Sequence, residues 1–413
     1  MLGTIDGANM FREQIQQNDV GNTTKIFLGR LFLLLNTLTW LFMVRAISVR
    51  LVESETAAIV NTFYLGVIVS VFIGAILSDK IRRRHLVFAW VMFGTFASFL
   101  PLFWTSNLII IQLTINFTLG FSFGLGLPSC VACFAESTTF QNRGRMGGLI
   151  FLLSTLCALP LLVLLQSNLL VVSMASFFWR ISGFCALPVV ESIETEERKP
   201  TSFLLVLQTR SFFLYFVPLL MFCFVDGFEK VFFESFFLAE FSLNRVIEPA
   251  FGAIFALVGG LLADRIGRKK VIIYGFVSLG IAYAVIGLAP YWIVSWYFYS
   301  IIDGIAWGIF YVMFALVLWG DMAHSNHREE KYYAIGGIPF FLSEFIVLLF
   351  VPQFEIIPQE SALTSFSIAA FFLFLAVIPL MYASETLPEK KIKERELRSY
   401  IEKAKKIKEK RRG

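Results

Sequence analysis

The sequence predicts an all-α integral membrane protein with twelve transmembrane helices in two pseudo-symmetric bundles of six. Three observations carry that prediction. The 413 residues are 57% hydrophobic and only 16% charged, with a mean hydropathy of +0.73; a soluble chain of this length needs far more polar surface to cover its core. The apolar residues collect in twelve runs, each near the ~20 residues that cross a bilayer. Charged residues recur between the two halves at one constant offset of 185 residues, the mark of an internal repeat.

The first half holds runs at 26–44, 57–77, 86–104, 108–134, 147–165 and 169–190. The second holds runs at 211–229, 247–263, 271–289, 292–320, 333–351 and 362–383. The fourth and tenth are longer than a span needs, which predicts tilt or protrusion. Residues 1–24 read as a polar cytoplasmic segment without the basic start and apolar centre of a cleavable secretory signal. Residues 25–190 then form one bundle, 191–210 a charged cytoplasmic linker, 211–384 the second bundle and 385–413 a basic cytoplasmic tail. The tail has twelve basic and six acidic residues, with Leu397, Tyr400, Ile401 and Ala404 at helical spacing. It reads either as an amphipathic helix on the anionic inner leaflet or as a solvated tail that enforces topology.

Charge orients the chain. With both termini in the cytoplasm, the inner loops carry fifteen Lys and Arg, the tail twelve and the N-terminal segment three. The outer loops carry four, Arg45, Arg50, Lys230 and Arg245, and one more, Arg180, sits inside a span. Basic residues stay on the cytoplasmic side during insertion, so this asymmetry predicts a multi-pass cell-membrane protein in that orientation. A fusion reporter after Ser106 is expected outside the cytoplasm. The five cysteines all lie in apolar runs, and Cys130 and Cys133, though spaced as CxxC, read as small residues packed between helices. No histidine, cysteine or carboxylate spacing resembles a metal site, and no serine or cysteine has a base beside it. No metal, cofactor, enzyme activity or nucleic-acid partner is expected.

After run two the chain reads Gly74-Ala75-Ile76-Leu77-Ser78-Asp79-Lys80-Ile81-Arg82-Arg83-Arg84, and after run eight Gly259-Gly260-Leu261-Leu262-Ala263-Asp264-Arg265-Ile266-Gly267-Arg268-Lys269. Glu136 and Arg143 follow run four, and Asp321 and Arg328 follow run ten, again 185 residues on. The loop motif resembles the cytoplasmic signature Gly-x-x-x-Asp-Arg-x-Gly-Arg-Arg/Lys of the major facilitator superfamily of transporters, in its prokaryotic form. The second copy fits it at Gly260, Asp264, Arg265, Gly267, Arg268 and Lys269; the first departs at Ala75 and Arg82. Parallel repeats are how the halves of these transporters are related. The resemblance covers residues 26–383. It implies a cytoplasmic latch made of Asp79, Arg83, Glu136, Arg143, Gly260, Asp264, Arg265, Gly267, Arg268, Asp321 and Arg328. Carboxylates there face helix N-termini, arginines pair with carboxylates of the next bundle, and glycine lets helices approach closely. The plain alternative is that these basic loops are topology signals alone.

The resemblance also implies a central cavity lined by spans one, four, seven and ten. A charge inside a span costs about 2.5–3.5 kcal/mol on insertion scales, so it points to a task or a partner. In span ten, Tyr299, Asp303, Trp307 and Tyr311 recur every fourth residue and share one helical face. An acid among aromatic rings suits a cation or a polyol; the alternative is a packing stripe. Span four offers Gln112 and Asn116, and span one Asn36, Trp40 and neighbouring hydroxyls, which also serve as ordinary helix-packing contacts. Span seven carries Asp226, Glu229 and Lys230 toward its outer end, as a gate or as a structural Asp226–Lys230 pair, with Gly227 permitting a bend. The resemblance puts span eleven between the halves, which makes Glu344 a candidate proton site. Arg180 is expected to snorkel or to pair structurally.

Three functional readings remain open. The first is a monomeric importer or facilitator of a small polar organic solute, coupled to protons. Glu191-Ser192-Ile193-Glu194-Thr195 and Ser384-Glu385-Thr386-Leu387-Pro388 faintly resemble sugar-porter signatures, although Phe222-Cys223-Phe224-Val225-Asp226 replaces that family's glutamine-rich motif. The second is drug or metabolite efflux, for which Pro160 in span five lacks the preceding glycine that exporters show. The third is a non-transporting receptor on the same fold, for which Asp303→Asn would alter stability alone.

Overall fold

In lipid a spanning segment must satisfy its backbone internally, and the helix does so within one segment. The described residues accordingly form helices joined by turns and short irregular segments. The computed structural model describes the backbone of residues 3–51, 57–104, 108–164, 169–186, 202–237, 244–323, 329–350 and 359–387; side chains are described for these except 3–23, 49–51, 161–164, 230–237, 244–245 and 359–363. Most of the linker, the tail from residue 388 onward and Arg328 lie outside the described residues.

The first half comprises α1 (Gly3–Leu51), α2 (Ala57–Lys80), α3 (Arg83–Ala97), α4 (Ile109–Gly124), α5 (Leu127–Ser137), α6 (Arg143–Leu164) and α7 (Leu169–Ser182). The second comprises α8 (Phe203–Gln208), α9 (Arg210–Phe237), α10 (Asn244–Ile266), α11 (Arg268–Leu288) and α12 (Ile293–Phe310). A π-helical segment, Tyr311–Val317, joins α12 to α13 (Leu318–Ala323), and α14 (Glu330–Phe350), α15 (Gln359–Leu375) and α16 (Val377–Tyr382) follow. Among the described residues, eleven helical stretches are long and apolar enough to cross a membrane. The fifth apolar run is the 22-residue α6.

The helices pack by the same rule in each half. α2 lies along α4 as α10 lies along α12, and the halves meet where α6 lies along α10 and α14 along α2. Helix α1 does not stop at residue 44: it runs on to Leu51, because no glycine or proline interrupts Arg45–Leu51, so Arg45 belongs to a span and not to an outer loop. The fourth run is two helices. Pro128 has no N–H and breaks the ladder after Gly124, and the indole of Trp90 takes up freed carbonyls, donating to the Ser122 oxygen at 2.8 Å and the Phe123 oxygen at 3.2 Å. Trp90→Phe keeps most of the packing and removes this donor. We expect a loss of about 1–3 kcal/mol of stability, read as a lower melting temperature of the purified protein.

Arg180, in the last turn of α7, does not snorkel. It is fully buried, its guanidinium 4.6 Å from the Trp40 ring centroid and 4.1 Å from that of Trp90. Its Nη1 donates to Asn36 Oδ1 at 2.9 Å and to Thr37 Oγ1 at 3.2 Å. Flat delocalised cations stack on aromatic faces in this way, and this arrangement ties α7 to α1 and α3.

Candidate functional site

The two sequence repeats meet at one end of the bundle. Asp264, at the end of α10, accepts the backbone N–H of Gly144 at 3.0 Å and of Arg145 at 2.8 Å, at the N-terminus of α6 in the other half. The unpaired amides and dipole of a helix start favour such a carboxylate. Arg268 reaches Asp264 at 2.9 Å. Asp321 is shared, accepting from Arg143 Nη1 at 2.5 Å and from Arg268 Nε at 3.2 Å. Its side chain and both arginines are sealed from solvent. In the first repeat Arg83 bonds Glu136 at 2.7 Å and also pairs with Glu330 of the second half, while Asp79 pairs with Lys331. The repeat is therefore kept in Arg83–Glu136 and Arg268–Asp321, and relaxed in what the aspartates face.

Two glycines make this end possible. A Cβ on Gly260 would overlap the carbonyl oxygen of Gly144, so α6 and α10 touch backbone to backbone. Gly267 has φ +107°, which an L side chain rarely adopts. Arg82 occupies the matching place in the first repeat with φ −55° and ψ 131°, an ordinary conformation for any residue. Arg265 is exposed at this end.

Deeper in, the span-ten face is split. Tyr299 and Asp303 are buried, at 3% and 2% exposure, whereas Trp307 and Tyr311 are half-buried. Trp307 donates its indole N–H to Asp226 Oδ1 at 2.7 Å. Tyr311 is sandwiched between Phe151 of the first half, at 5.1 Å, and Phe340 of the second, at 5.3 Å, and it leans on Trp307 at 4.7 Å. It also opens the π-helical segment, a local widening often found at functional sites. Arg45 and Glu344 pair across the halves at 3.4 Å.

Other sequence-selected residues fall elsewhere. Asn36 and Trp40 are fully buried; Asn36 donates to the Trp179 carbonyl at 2.6 Å and Trp40 to Ser98 Oγ at 3.0 Å. Asn116 is held by Ser48 and donates to the Gln112 carbonyl at 3.3 Å. These groups join helices inside the first half. Glu229, the last residue of its apolar stretch, is nonetheless buried, at 8% exposure, and accepts from the Tyr283 hydroxyl at 3.0 Å. The side chain of Lys230 lies outside the described residues. Sequence reasoning missed Glu330, Lys331, Tyr283 and Glu385. Glu385 caps the start of α11, accepting from the Arg268 N–H at 2.9 Å and the Lys269 N–H at 3.1 Å; its signal was the Ser384-Glu385-Thr386 segment itself.

Solved structures with a similar fold are numerous. A bacterial homologue of the iron transporter ferroportin in an outward-facing state aligns with TM-score 0.66 and 13% identity, covering 87% of this chain and 98% of that one. The proton:xylose symporter XylE, bound to 6-bromo-6-deoxy-D-glucose, aligns with TM-score 0.61 and 17% identity, over 88% and 96% of the two chains. The fold is that of the major facilitator superfamily. The human organic anion transporter MFSD10 shares the major facilitator fold with TM-score 0.58 and 14% identity, over 87% of this chain and 98% of that one. No family model matches the chain. Among curated proteins, the MFS-type efflux transporter phmH of Phaeosphaeria nodorum is 30% identical over 121 residues, which is 28% of this chain and 19% of that relative's length.

Proposed function

We propose that the chain is a secondary transporter of the cell membrane that moves a small polar organic solute with protons, as a monomer, by alternating access. In this reading it crosses the bilayer twelve times, in two bundles of six, with both termini in the cytoplasm. The observation that carries it is the seam at the motif end. There the halves are joined by polar contacts, Asp264 on the amides of Gly144 and Arg145 and Asp321 between Arg143 and Arg268. Such contacts break without exposing an apolar core, as a gate requires. With this end closed the state is outward-facing, in line with the similarity to an outward-facing structure.

The solute site in this reading is the half-buried group of Trp307, Tyr311, Phe340 and Asp226, with Asp303 behind it on the same helix and Glu344 as the coupling acid. Aromatic walls with a few fixed polar groups suit a small polyhydroxy or amino solute. The test is a ligand stability screen on purified protein at acidic and neutral pH, followed by flux in proteoliposomes. A solute at a hundredfold its Kd stabilises by about 2.7 kcal/mol. We expect a polar hit that Asp226→Asn and Asp303→Asn both weaken, and uptake that a proton gradient drives. Stabilisation by lipophilic compounds alone, with outward flux, would replace this reading by efflux, which the partial likeness to phmH favours.

The Arg45–Glu344 pair provides a sharper check. Arg45→Glu or Glu344→Arg alone places like charges 3.4 Å apart between the halves. Each is expected to lower the thermal midpoint of the purified protein, and the double exchange Arg45→Glu/Glu344→Arg to restore most of it. No recovery in the double variant means that the pair does not act as a unit.

A further inference from the structure

We propose that a lateral pocket between α9, α11 and α15 binds hydrophobic monovalent cations that enter from the bilayer. The pocket holds about 450 Å³, within the roughly 300–1,000 Å³ of sites for drug-sized ligands. Its wall is apolar and largely aromatic, built from Met221, Phe224, Phe228, Phe366 and Phe372. Its one carboxylate among the described residues is Glu229, beside the phenol of Tyr283 that donates to it at 3.0 Å. Among the described residues, no basic side chain lines it.

Each feature selects the same ligand. A carboxylate buried beside an apolar cavity holds its charge only at a cost, which a proton or a bound cation removes, so the ligand that complements its charged form is positive. Phenylalanine faces attract cations and gain strength where water is excluded, and methionine adapts to ligands of different shape. The route of entry is also marked. Ile368 and Phe372 line the pocket yet are 50% and 43% exposed on the apolar flank of α15, so the mouth opens where lipid covers the span. A ligand must therefore partition into the bilayer first, which calls for a bulky organic cation rather than a metal ion. An acyl chain has the apolarity and lacks the charge. This site is separate from the Trp307–Tyr311 group, and its test is binding alone, so it stands or falls independently of the transport reading.

The experiment is equilibrium binding of radiolabelled tetraphenylphosphonium to the purified full chain in lipid nanodiscs, with tetraphenylborate as a competitor of the same shape and opposite charge. We expect saturable binding of one cation per chain that tetraphenylborate does not displace. Glu229→Gln should weaken it at least tenfold. Ala369→Phe, which fills the pocket from α15 and leaves the carboxylate in place, should weaken it at least tenfold without changing the elution volume of the protein. The proposal is overturned by displacement with tetraphenylborate as effective as with unlabelled cation, by absence of saturable binding, or by undiminished binding in Ala369→Phe. The last criterion holds even where Glu229→Gln does not fold.

Discussion

Asp321→Asn is expected to cost about 3–5 kcal/mol of stability, the usual penalty for removing one partner from a buried ion network. Asp321 is sealed between Arg143 and Arg268, and also lies 3.4 Å from the hydroxyl of Thr386. An amide offers one acceptor oxygen where the carboxylate offers two, and it carries no charge to share between two fully buried guanidinium groups, of which Arg268 keeps Asp264 at 2.9 Å. Both arginines have other acceptors: Arg143 donates to the Ala135 carbonyl and Arg268 to the carbonyls of Ala263 and Phe140. Those bonds hold the arginines in place, so they cannot swing out to water and the unbalanced charge stays buried. The measurement is the thermal midpoint of purified protein. A triple exchange, Arg143→Met/Asp321→Leu/Arg268→Met, should recover most of the lost stability, because apolar groups of similar volume replace buried ion networks at little cost. It should not recover flux, because the centre of the seam then has no polar contacts to exchange with water, only those of Asp264, Arg83 and Lys331 being left around it. Flux restored together with stability would mean that the network serves folding only.

Gly260→Ala is expected to open the motif end. The added methyl would overlap the Gly144 carbonyl, and the adjoining atoms of Gly144 and Arg145 are backbone. No rotamer change relieves that overlap, so α6 and α10 must separate. Separation also withdraws Asp264 from the amides of Gly144 and Arg145, so the packing and electrostatic losses add. Overpacking costs about 1–3 kcal/mol, which shifts a two-state population by roughly 5- to 150-fold toward the state without this contact. Spin labels at Gln141→Cys and Lys270→Cys, both exposed positions at this end, read the change in a background with the five native cysteines replaced. A longer mean distance in Gly260→Ala than in the parent is the expected result. An unchanged distance distribution would show that the backbone contact does not hold the end closed. Gly144→Ala should behave alike, since its Cβ would meet the Gly260 carbonyl and the Asp264 carboxylate.

The motif end was the most legible part of the molecule. Its groups are charged, and charge inside or beside a span has few physical reasons to be there, so a constant offset between charged residues was already a statement about architecture. The same logic picked out Asp226, Asp303 and Glu344. It gave no guide to the partners of Glu229 and Arg45, because a sequence shows distance along the chain and not which helix a side chain meets. It also failed for Asn36, Trp40 and Asn116. Amides and indoles line cavities and join helices with equal ease, and the choice depends on the neighbouring helix.

By itself the sequence determined the helical class, the apolar spans and the repeat, because the bilayer demands long uninterrupted apolar helices and charges survive there only in paired or functional places. Only the tertiary structure decided which repeats touch, that Asp264 faces amides while Asp79 faces Lys331, that Arg180 lies between two indoles, and that Glu229 faces an apolar pocket. Those outcomes depend on how one helix surface meets another hundreds of residues away, and lipid, as apolar as the helix surfaces themselves, leaves that choice to packing and to individual polar contacts.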